Sequence, residues 1–339
     1  MVTLAVKYAD KTVMTVMLEN DYGDPKRGTS GEKKWFYENL KKLVGRVEPV
    51  WFDPYIADSG PLQNVLKEAA ARIKPDLILF APYTWQFETS TLDELKSKYR
   101  TAVWFGDDHW RFDSFSKILG PHFTHVITTD PLCVSKYRQL GIEPILSDWA
   151  GEPPTEILDP TLGVDYKYDV SFVGGRNDVR SWVIGELAKS GIRVECFGSG
   201  WPNGRLSFEE MDRVFFQSRI NLNLSNSVPQ DVRFVFSKPI HFLRWLRSPK
   251  QTEQVKARNF EIPLAGGFQL SKYAVGLERH WKIGEEIAVF DTPAECAAQI
   301  HYYLFREEER RAMTARAFKR AHSEHTFAIR FAKILESIF

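Results

Sequence analysis

The sequence contains few cysteines. Its 339 residues include only Cys133, Cys196 and Cys296, which lie far apart and have neither CxxC nor Cys/His metal-ligand spacing. Small secreted scaffolds need several disulfides, and structural zinc sites need clustered ligands. The cysteine pattern therefore predicts reduced thiols and no structural metal.

Net charge and long hydrophobic runs are also lacking. Lys and Arg total 45 and Asp and Glu total 44, so no basic field favours nucleic acid as a partner. No apolar stretch approaches the roughly 20 residues that span a bilayer. The opening sequence MVTLAVKYADKTVMTVML has no basic leader and no small-residue cleavage site. We therefore expect a cytoplasmic protein, and we expect any contact with a membrane to be peripheral.

Hydrophobic residues are plentiful, at 43% of the chain with 14% aromatics. A chain of this length predicts about two domains. In the first half, short apolar runs alternate with amphipathic helical patterns such as residues 33–43 and 62–73. Strands are predicted at residues 12–18, 49–52, 76–80, 102–105, 125–128 and 144–146. This βαβ rhythm predicts a parallel sheet with helices on both faces.

The rhythm starts again after a loop rich in Pro, Asp and Gly. Residues 168–175 are predicted as a buried strand, followed by a helix that Asn177 caps and Gly191 ends. RVECFGSG and RINLNLS are predicted as the next two strands, and between them Ser207 and Glu210 have the spacing of a capping box. The closing stretch from residue 307 is predicted to be helical.

These patterns predict an α/β protein with two doubly wound domains. We place the domains at residues 1–155 and 165–320, with a closing helix at 321–339 that packs back on the first domain. Ligands of such folds bind beyond the carboxyl ends of the strands, so a cleft between the domains is the expected site.

Glycines follow the first strand of the second domain. In FVGGRNDVR, Gly174 and Gly175 stand between a strand and a helix amino terminus, and Arg176 and Arg180 follow them. Glycine lets a ligand approach the backbone, and the unpaired N–H groups of a helix amino terminus suit a phosphate. The same glycines can instead merely permit a tight turn.

Two acids flank two cations in EQVKARNFEIPLAGGFQL. Glu253 and Glu261 are separated by seven residues, and Lys256 and Arg258 lie between them. A helix beginning near Gln254 would put Arg258 and Glu261 on one face. Either these two form an ordinary surface ion pair, or the cations bind a diphosphate and the carboxylates bind sugar hydroxyls.

From about Tyr168 onward, the motifs stand in a recognisable order. YDVSFVGG, FGSGW, LSFEEMDRVFFQSRINLNLS, KARNFEIPLAGGFQL and GEEIAVFDTPAECAAQ together resemble the carboxyl-terminal domain of GT-B glycosyltransferases, most closely the spore-maturation CgeB-like group. The resemblance covers about half of the chain. It implies two Rossmann-like domains facing a central cleft. It also implies transfer of a sugar from a nucleotide diphosphate donor, without metal or other cofactor, to a glycan, protein or small-molecule acceptor.

The resemblance further implies roles for particular residues. Retaining enzymes of this type bind the donor with a Glu-x7-Glu motif, whose spacing Glu253 and Glu261 match. By position Glu261 would hold the ribose and Glu253 the sugar, while Lys256 and Arg258 would face the diphosphate. Pro263 departs from the pattern and should kink or shorten the presumed helix.

FGSGW places Gly198 and Trp201 after the second strand of the same domain. A nucleotide base could rest on the loop backbone or on the indole face, or Trp201 could simply cover the core. With Gly174, Gly175 and Arg176, these residues complete the predicted donor site.

In the first half, AVWFGDDHWRFD places Asp107, Asp108 and His109 directly after a buried strand. An acid beside an imidazole can move a proton to or from a sugar hydroxyl, so these three are the candidate catalytic residues. Alternatively, Asp108 caps the following turn. A third interpretation is a metal-holding aspartate pair, but two adjacent aspartates without a third ligand make a poor cation cage.

One further segment, SVPQDVRFVFSKPIHFLRWLRSPKQ, mixes cations with aromatics. The pattern suits an anionic acceptor or a membrane surface, and a solvated face over buried aromatics explains it equally well. Two other functions also remain open. One is a non-catalytic module of the same fold that binds a nucleotide sugar or glycan, and the other is a nucleotide-sugar epimerase.

Overall fold

The computed structural model describes residues 7–225 and 227–339, so part of the opening segment in which we found no leader lies outside it. The chain forms two compact units. The first runs through Asp148 and also includes Phe327–Phe339, and the second is Trp149–Thr326. The division near residue 155 therefore falls at 148, and the closing segment that joins the first unit starts at 327 instead of 321.

Within the described residues of the first unit, six parallel strands form one sheet in the order β2-β1-β3-β4-β5-β6. The strands are β1 (Tyr8–Met17), β2 (Val44–Trp51), β3 (Leu77–Phe80), β4 (Thr101–Phe105), β5 (His125–Thr128) and β6 (Ile145–Leu146). Strands β3 and β4 are buried along their whole length, as expected for a parallel sheet covered on both faces. The direction of strand order reverses between β1 and β3.

Helices and short helical turns connect these strands. The α-helices are α1 (Glu38–Leu40), α2 (Gly60–Ile73), α3 (Thr89–Lys98), α4 (Asp108–Arg111), α5 (Lys117–Leu119) and α6 (Val134–Gln139), with wider π-type turns at Glu32–Tyr37 and Phe112–Ser116. Helix α2 confirms the helical pattern at residues 62–73. Its buried Leu62, Leu66, Ala69 and Ile73 lie on one face because of their spacing.

Within the described residues of the second unit, five parallel strands form a sheet in the order β11-β10-β9-β7-β8. They are β7 (Tyr168–Val173), β8 (Glu195–Phe197), β9 (Ser218–Asn223), β10 (Gln269–Lys272) and β11 (Ala288–Phe290). Strand β7 leads to β8 on one side and β9 lies on its other side, so the strand order reverses between β7 and β9. Ligands of open α/β sheets bind beyond the strand ends at such a reversal.

The helices of the second unit are α7 (Asp178–Lys189), α8 (Phe208–Phe216), α9 (Val232–Val235), α10 (Pro239–Arg247), α11 (Arg258–Leu264), α12 (Pro293–Leu304) and α13 (Glu307–Glu324). The predicted caps are confirmed. The Asn177 side chain accepts from the Arg180 N–H at 3.0 Å, and Ser207 forms a reciprocal capping box with Glu210.

The chain returns to the first unit through α14 (Phe327–Ile338). The closing stretch predicted to be helical from residue 307 forms two helices that meet at His325, whose carbonyl accepts from the Gly151 N–H at 3.1 Å. Phe327 and Phe331 are fully buried, and both rings lie against Phe36, at centroid distances of 5.6 and 5.1 Å. Helix α14 is therefore part of the first hydrophobic core. Among the helices described, none combines the length and apolar character that a membrane crossing requires.

Candidate functional site

The loops after β7 and β8 are joined by backbone hydrogen bonds. The Gly174 N–H donates to the Phe197 carbonyl at 2.9 Å, and the Arg176 N–H donates to Ser199 at 2.8 Å. Gly198 has φ +122°, and a Cβ there would lie 2.4 Å from the Gly174 carbonyl oxygen. Only glycine fits at position 198, because the two loops approach each other too closely for a side chain. This is a structural role, as in a tight turn.

Gly175 differs from its neighbours. A Cβ built on it would meet no atom within 4 Å, whereas one on Gly174 would lie 2.8 Å from the Phe172 ring. Gly175 is exposed at the edge of the sheet, while Gly174 is half-buried, with the Phe172 ring in the direction a side chain would take. Of the two glycines, only Gly175 leaves room for a ligand against the main chain.

Trp201 and Arg176 lie together over this loop pair. The Trp201 indole N–H donates to the Gly174 carbonyl at 2.9 Å, and the Arg176 guanidinium lies 5.3 Å from the centre of the Trp201 ring. Arg176 also donates through Nε to Ser181 Oγ at 3.1 Å. The indole is half-buried and anchored, so it covers the core and also presents a stacked cation at the sheet edge.

Arg180 lies between the loops that follow β7 and β9, where the strand order reverses. Its guanidinium donates to the carbonyls of Gly175, Leu224 and Ser225 at 2.8, 2.9 and 2.7 Å. Burial, followed by the charge of Arg258, lowers its pKa to about 10, and Glu253 opposes that change. Arg180 joins the loops after β7 and β9, so much of its donor capacity is already used by the protein.

The predicted helix start at Gln254 is wrong, since α11 begins at Arg258. The Asn259 side chain accepts from the Lys256 N–H at 3.0 Å, which fixes a turn immediately before the helix. Glu253 and Lys256 consequently lie in a loop and do not share a helix with Glu261. Pro263 lies near the end of this short helix, as expected.

Arg258 and Glu261 do form the predicted i,i+3 pair, at 2.8 Å, but it is not a surface pair. The Glu261 side chain is 8% exposed, and the Arg258 guanidinium also lies 4.9 Å from the Phe215 ring centre. Breaking such a buried pair costs about 3–5 kcal/mol because one charge is left uncompensated. An acid in this apolar segment is therefore stabilised by its own neighbour.

A buried polar network fixes the start of α11, and the sequence reasoning missed it. Ser271 Oγ accepts from the amides of Asn223 and Asn259 at 3.2 and 3.1 Å, and Ser225 Oγ donates to Asn223 at 2.9 Å. These groups lie at the carboxyl ends of β9 and β10. The signal was visible in RINLNLS, where asparagine alternates with apolar residues along a buried strand.

A pocket lies on one side of this edge, against α7. Its walls are α7, the chain on either side of α9 and α10, and the ends of β10 and β11. Glu253 and Arg180 line it, as do Lys272 and Asp291, which form an ion pair at 2.9 Å. Glu253 therefore faces a cavity that the Arg258–Glu261 pair does not line.

In the first unit, Asp108 points into the protein. It is 1% exposed, and its Oδ2 accepts from the Thr128 and Tyr137 hydroxyls at 2.6 and 3.0 Å. Burial raises its pKa to about 6. Asp108 was predicted as a candidate catalytic residue, and two hydroxyls on later elements hold its carboxylate inside the protein.

The capping alternative for Asp108 is also wrong. The residue at the amino cap of α4 is Asp107, and its side chain makes no capping hydrogen bond. Asp107 and His109 are half-buried. All three residues follow β4, whereas the strand order of this sheet reverses between β1 and β3.

The two units, each with a parallel, doubly wound sheet, match solved structures of the GT-B glycosyltransferase fold. The chain is similar to sucrose-phosphate synthase from Thermosynechococcus elongatus, with a TM-score of 0.66 and 11% identity over 97% of this chain and 99% of that one. It is also similar to HepE from Anabaena, solved with UDP and glucose, with a TM-score of 0.62 and 12% identity over 96% of this chain and 99% of that one. A glycosyltransferase from Rickettsia africae has a TM-score of 0.60 to this chain and 11% identity over 98% of each chain.

Residues 176–336 match the family model described as "Glycosyl transferase-like". The match begins at Arg176 and takes in α7, the Glu253 loop and α11. No curated protein matches the sequence. At these identities the similarity to solved structures shows the fold.

Proposed function

We propose that the protein is a glycosyltransferase that moves a sugar from a nucleoside diphosphate donor to an acceptor. The proposal includes the CgeB-like subtype, transfer without a metal ion and retention of the anomeric configuration. Its general support is the fold and the family-model match over residues 176–336.

The observation that carries the proposal is the composition of the second sheet's carboxyl edge. Gly175 leaves its backbone accessible, Arg176 and Trp201 lie beside it, and Arg180 and Arg258 add positive charge. Accessible main chain with several cations suits a diphosphate, and an aromatic ring suits a base. HepE has been solved with UDP and with UDP-glucose, so uridine nucleotides are the first donors to test.

In this proposal, Glu261 serves the donor and Arg258 together. A carboxylate accepts several hydrogen bonds, so ribose hydroxyls can join the bond from Arg258. Glu253 is assigned to the transferred sugar because it faces the pocket, and Lys256 to the phosphates. The Glu253 and Glu261 spacing supports retention, which the anomeric configuration of the product, read by NMR, would test.

The aspartates of the first unit support transfer without a metal. Asp108 is tied to Thr128 and Tyr137, so its carboxylate does not join that of Asp107 on one cation. We propose that Asp107 and His109 are the groups for proton transfer. The buried Asp108 between them in sequence would hold them in position through its bonds to Thr128 and Tyr137. The developing charge on the diphosphate would be offset by the cations of the second unit.

A panel of nucleotides and nucleotide sugars in a thermal-shift assay tests donor binding. A ligand at 100 times its dissociation constant adds about 2.7 kcal/mol of stability, which is readily measured. The ligands that stabilise the protein are then assayed for release of nucleoside diphosphate, with and without candidate acceptors. Stabilisation by no nucleotide in the panel would count against the proposal.

The inward position of Asp108 favours a second candidate, a non-catalytic module that binds a nucleotide sugar. Such a module would be stabilised by the same ligands as the enzyme. It would release no nucleoside diphosphate from them, even over long incubation, whereas a transferase hydrolyses its donor slowly when no acceptor is present.

A further inference from the structure

Residues 232–250, which we term the arm, lie between β9 and α11 in the second unit. The arm contains α9 and α10. It carries five cations and no acid, namely Arg233, Lys238, Arg244, Arg247 and Lys250. Asp231, directly before the arm, forms an ion pair with Arg233 at 2.7 Å. In a chain whose charges otherwise nearly cancel, this is a strongly basic segment.

The arm packs on the protein through a mixture of apolar and polar groups. The His241 ring stacks on Phe234 at 4.3 Å, and Phe234 lies 5.7 Å from Trp182 of α7. Arg244 forms an ion pair with Asp178 at the amino end of α7. In α10, His241 is therefore the buried residue, and Arg244 is held against the protein by its ion pair.

Apart from the buried Phe234 and Val235, the apolar side chains of the arm face outward. Phe236 is 74% exposed and Leu246 59%. Val232, Ile240, Phe242, Leu243 and Trp245 are also exposed. An ordinary surface helix turns its apolar stripe to the core and its polar face to water. Helix α10 instead exposes its apolar residues along with its arginines and buries only His241. Contiguous exposed apolar groups of this kind mark an interaction surface.

We propose that the arm docks on an anionic lipid surface. Aromatic and aliphatic side chains would enter the boundary between headgroups and acyl chains, and the long Lys and Arg side chains would reach the headgroups. Lys238 and Arg247 are exposed beside the apolar residues, as this requires. Arg233 and Arg244 already pair with Asp231 and Asp178, so the attraction to a negative surface comes from the arm's other cations, with no acid of the arm opposing it.

A second copy of the chain fits this surface less well. A two-fold contact sets the same patch of each copy against the other, which would bring the exposed Lys238 and Arg247 of both copies together with no acid of the arm between them. The ends of the arm also bear on location. Asp231 precedes it and Gln251 follows it, and both line the pocket beside α7. Docking would hold that pocket beside the lipid surface.

Flotation with lipid vesicles tests the proposal on the full chain. We expect the protein to float with vesicles of phosphatidylcholine and phosphatidylglycerol, to stay behind with phosphatidylcholine alone, and to be released by salt. Lys238→Gln with Arg247→Gln should lower the partition coefficient about 25-fold, since each cation near such a surface contributes about fivefold. Phe236→Ser with Leu246→Ser should lower it at least about tenfold.

Matched control variants lie elsewhere on the second unit. Phe305→Ser removes a side chain that is 89% exposed, and Arg193→Gln removes a cation whose side chain is 88% exposed. Both should bind vesicles like wild type, and melting curves should show that every variant is folded. The proposal is overturned by equal binding to neutral vesicles or by arm variants that bind as the controls do. A concentration-dependent dimer that the arm variants abolish, with no vesicle binding, would overturn it in favour of a second copy.

Discussion

Asp108→Asn should change how the stability of the first unit depends on pH. The wild-type carboxyl is buried, accepts from Thr128 and Tyr137, and has a pKa raised to about 6 from an ordinary value of 3.8. An asparagine oxygen in the same place can accept both hydroxyl bonds but carries no charge. The variant therefore keeps the contacts and loses the titration.

The raised pKa of Asp108 determines whether stability rises or falls with pH. Below pH about 4 the carboxyl is protonated in both the folded and the unfolded chain, and its favourable contribution is complete. Between pH about 4 and 6 the unfolded chain gives up its proton first, so stability falls as pH rises. The interval from 3.8 to about 6 corresponds to about 3 kcal/mol, which is lost above pH about 6.

Calorimetric unfolding of both proteins from pH 4 to pH 8 measures this effect. Near pH 4 the two should have similar stability, and near pH 8 the variant should be the more stable by up to about 3 kcal/mol. Other groups that titrate in this range, such as Glu32, whose pKa burial also raises, cancel in the difference. Superimposable pH profiles would refute the reasoning that Asp108 titrates as a buried acid.

The same variant separates a positioning role from a catalytic one. If Asp108 transferred a proton in the reaction, Asp108→Asn should keep donor affinity and lose about 10²–10⁴ in turnover. If it only holds the loop after β4, turnover should stay within a few-fold of wild type in the folded variant. Donor hydrolysis and transfer, assayed together, distinguish the two results.

Three further predictions concern single substitutions. Glu261→Gln should weaken donor binding more than Glu253→Gln and cost about 3 kcal/mol of stability, because it breaks a buried ion pair; equal, wild-type-like affinities in calorimetry would contradict this. Gly198→Ala should cost about 1–3 kcal/mol in urea unfolding because of its positive φ and loop contact, whereas Gly185→Ala, inside α7 with open space around it, should be neutral or stabilising. Phe331→Ala should cost about 3–5 kcal/mol, and a loss below about 1 kcal/mol would mean that α14 contributes little to the first core.

The fold was largely predictable because its signals are local. The βαβ rhythm gave both parallel sheets, and Asn177 and Ser207 cap their helices as their spacing predicts. The start of α11 was not predictable from spacing, since it depends on Asn259, whose side chain bonds the backbone before the helix and Ser271 after it. Such a bond is invisible to a periodicity argument.

The inward direction of the Asp108 side chain was not predictable, for a related reason. Its partners, Thr128 and Tyr137, lie 20 and 29 residues further along, on elements whose placement only the folded sheet decides. A strand followed by acids predicts that acids lie near the sheet edge. It does not say which of two adjacent carboxylates turns inward.

The return of α14 to the first unit sets an order for folding during synthesis. A ribosome makes all of the second unit, through Thr326, before it makes the helix that completes the first. Until then the face that includes Phe36 and Trp104 lacks Phe327 and Phe331, whose rings lie against it in the finished protein. The second unit can therefore become compact while the nascent chain still exposes an apolar surface on the first.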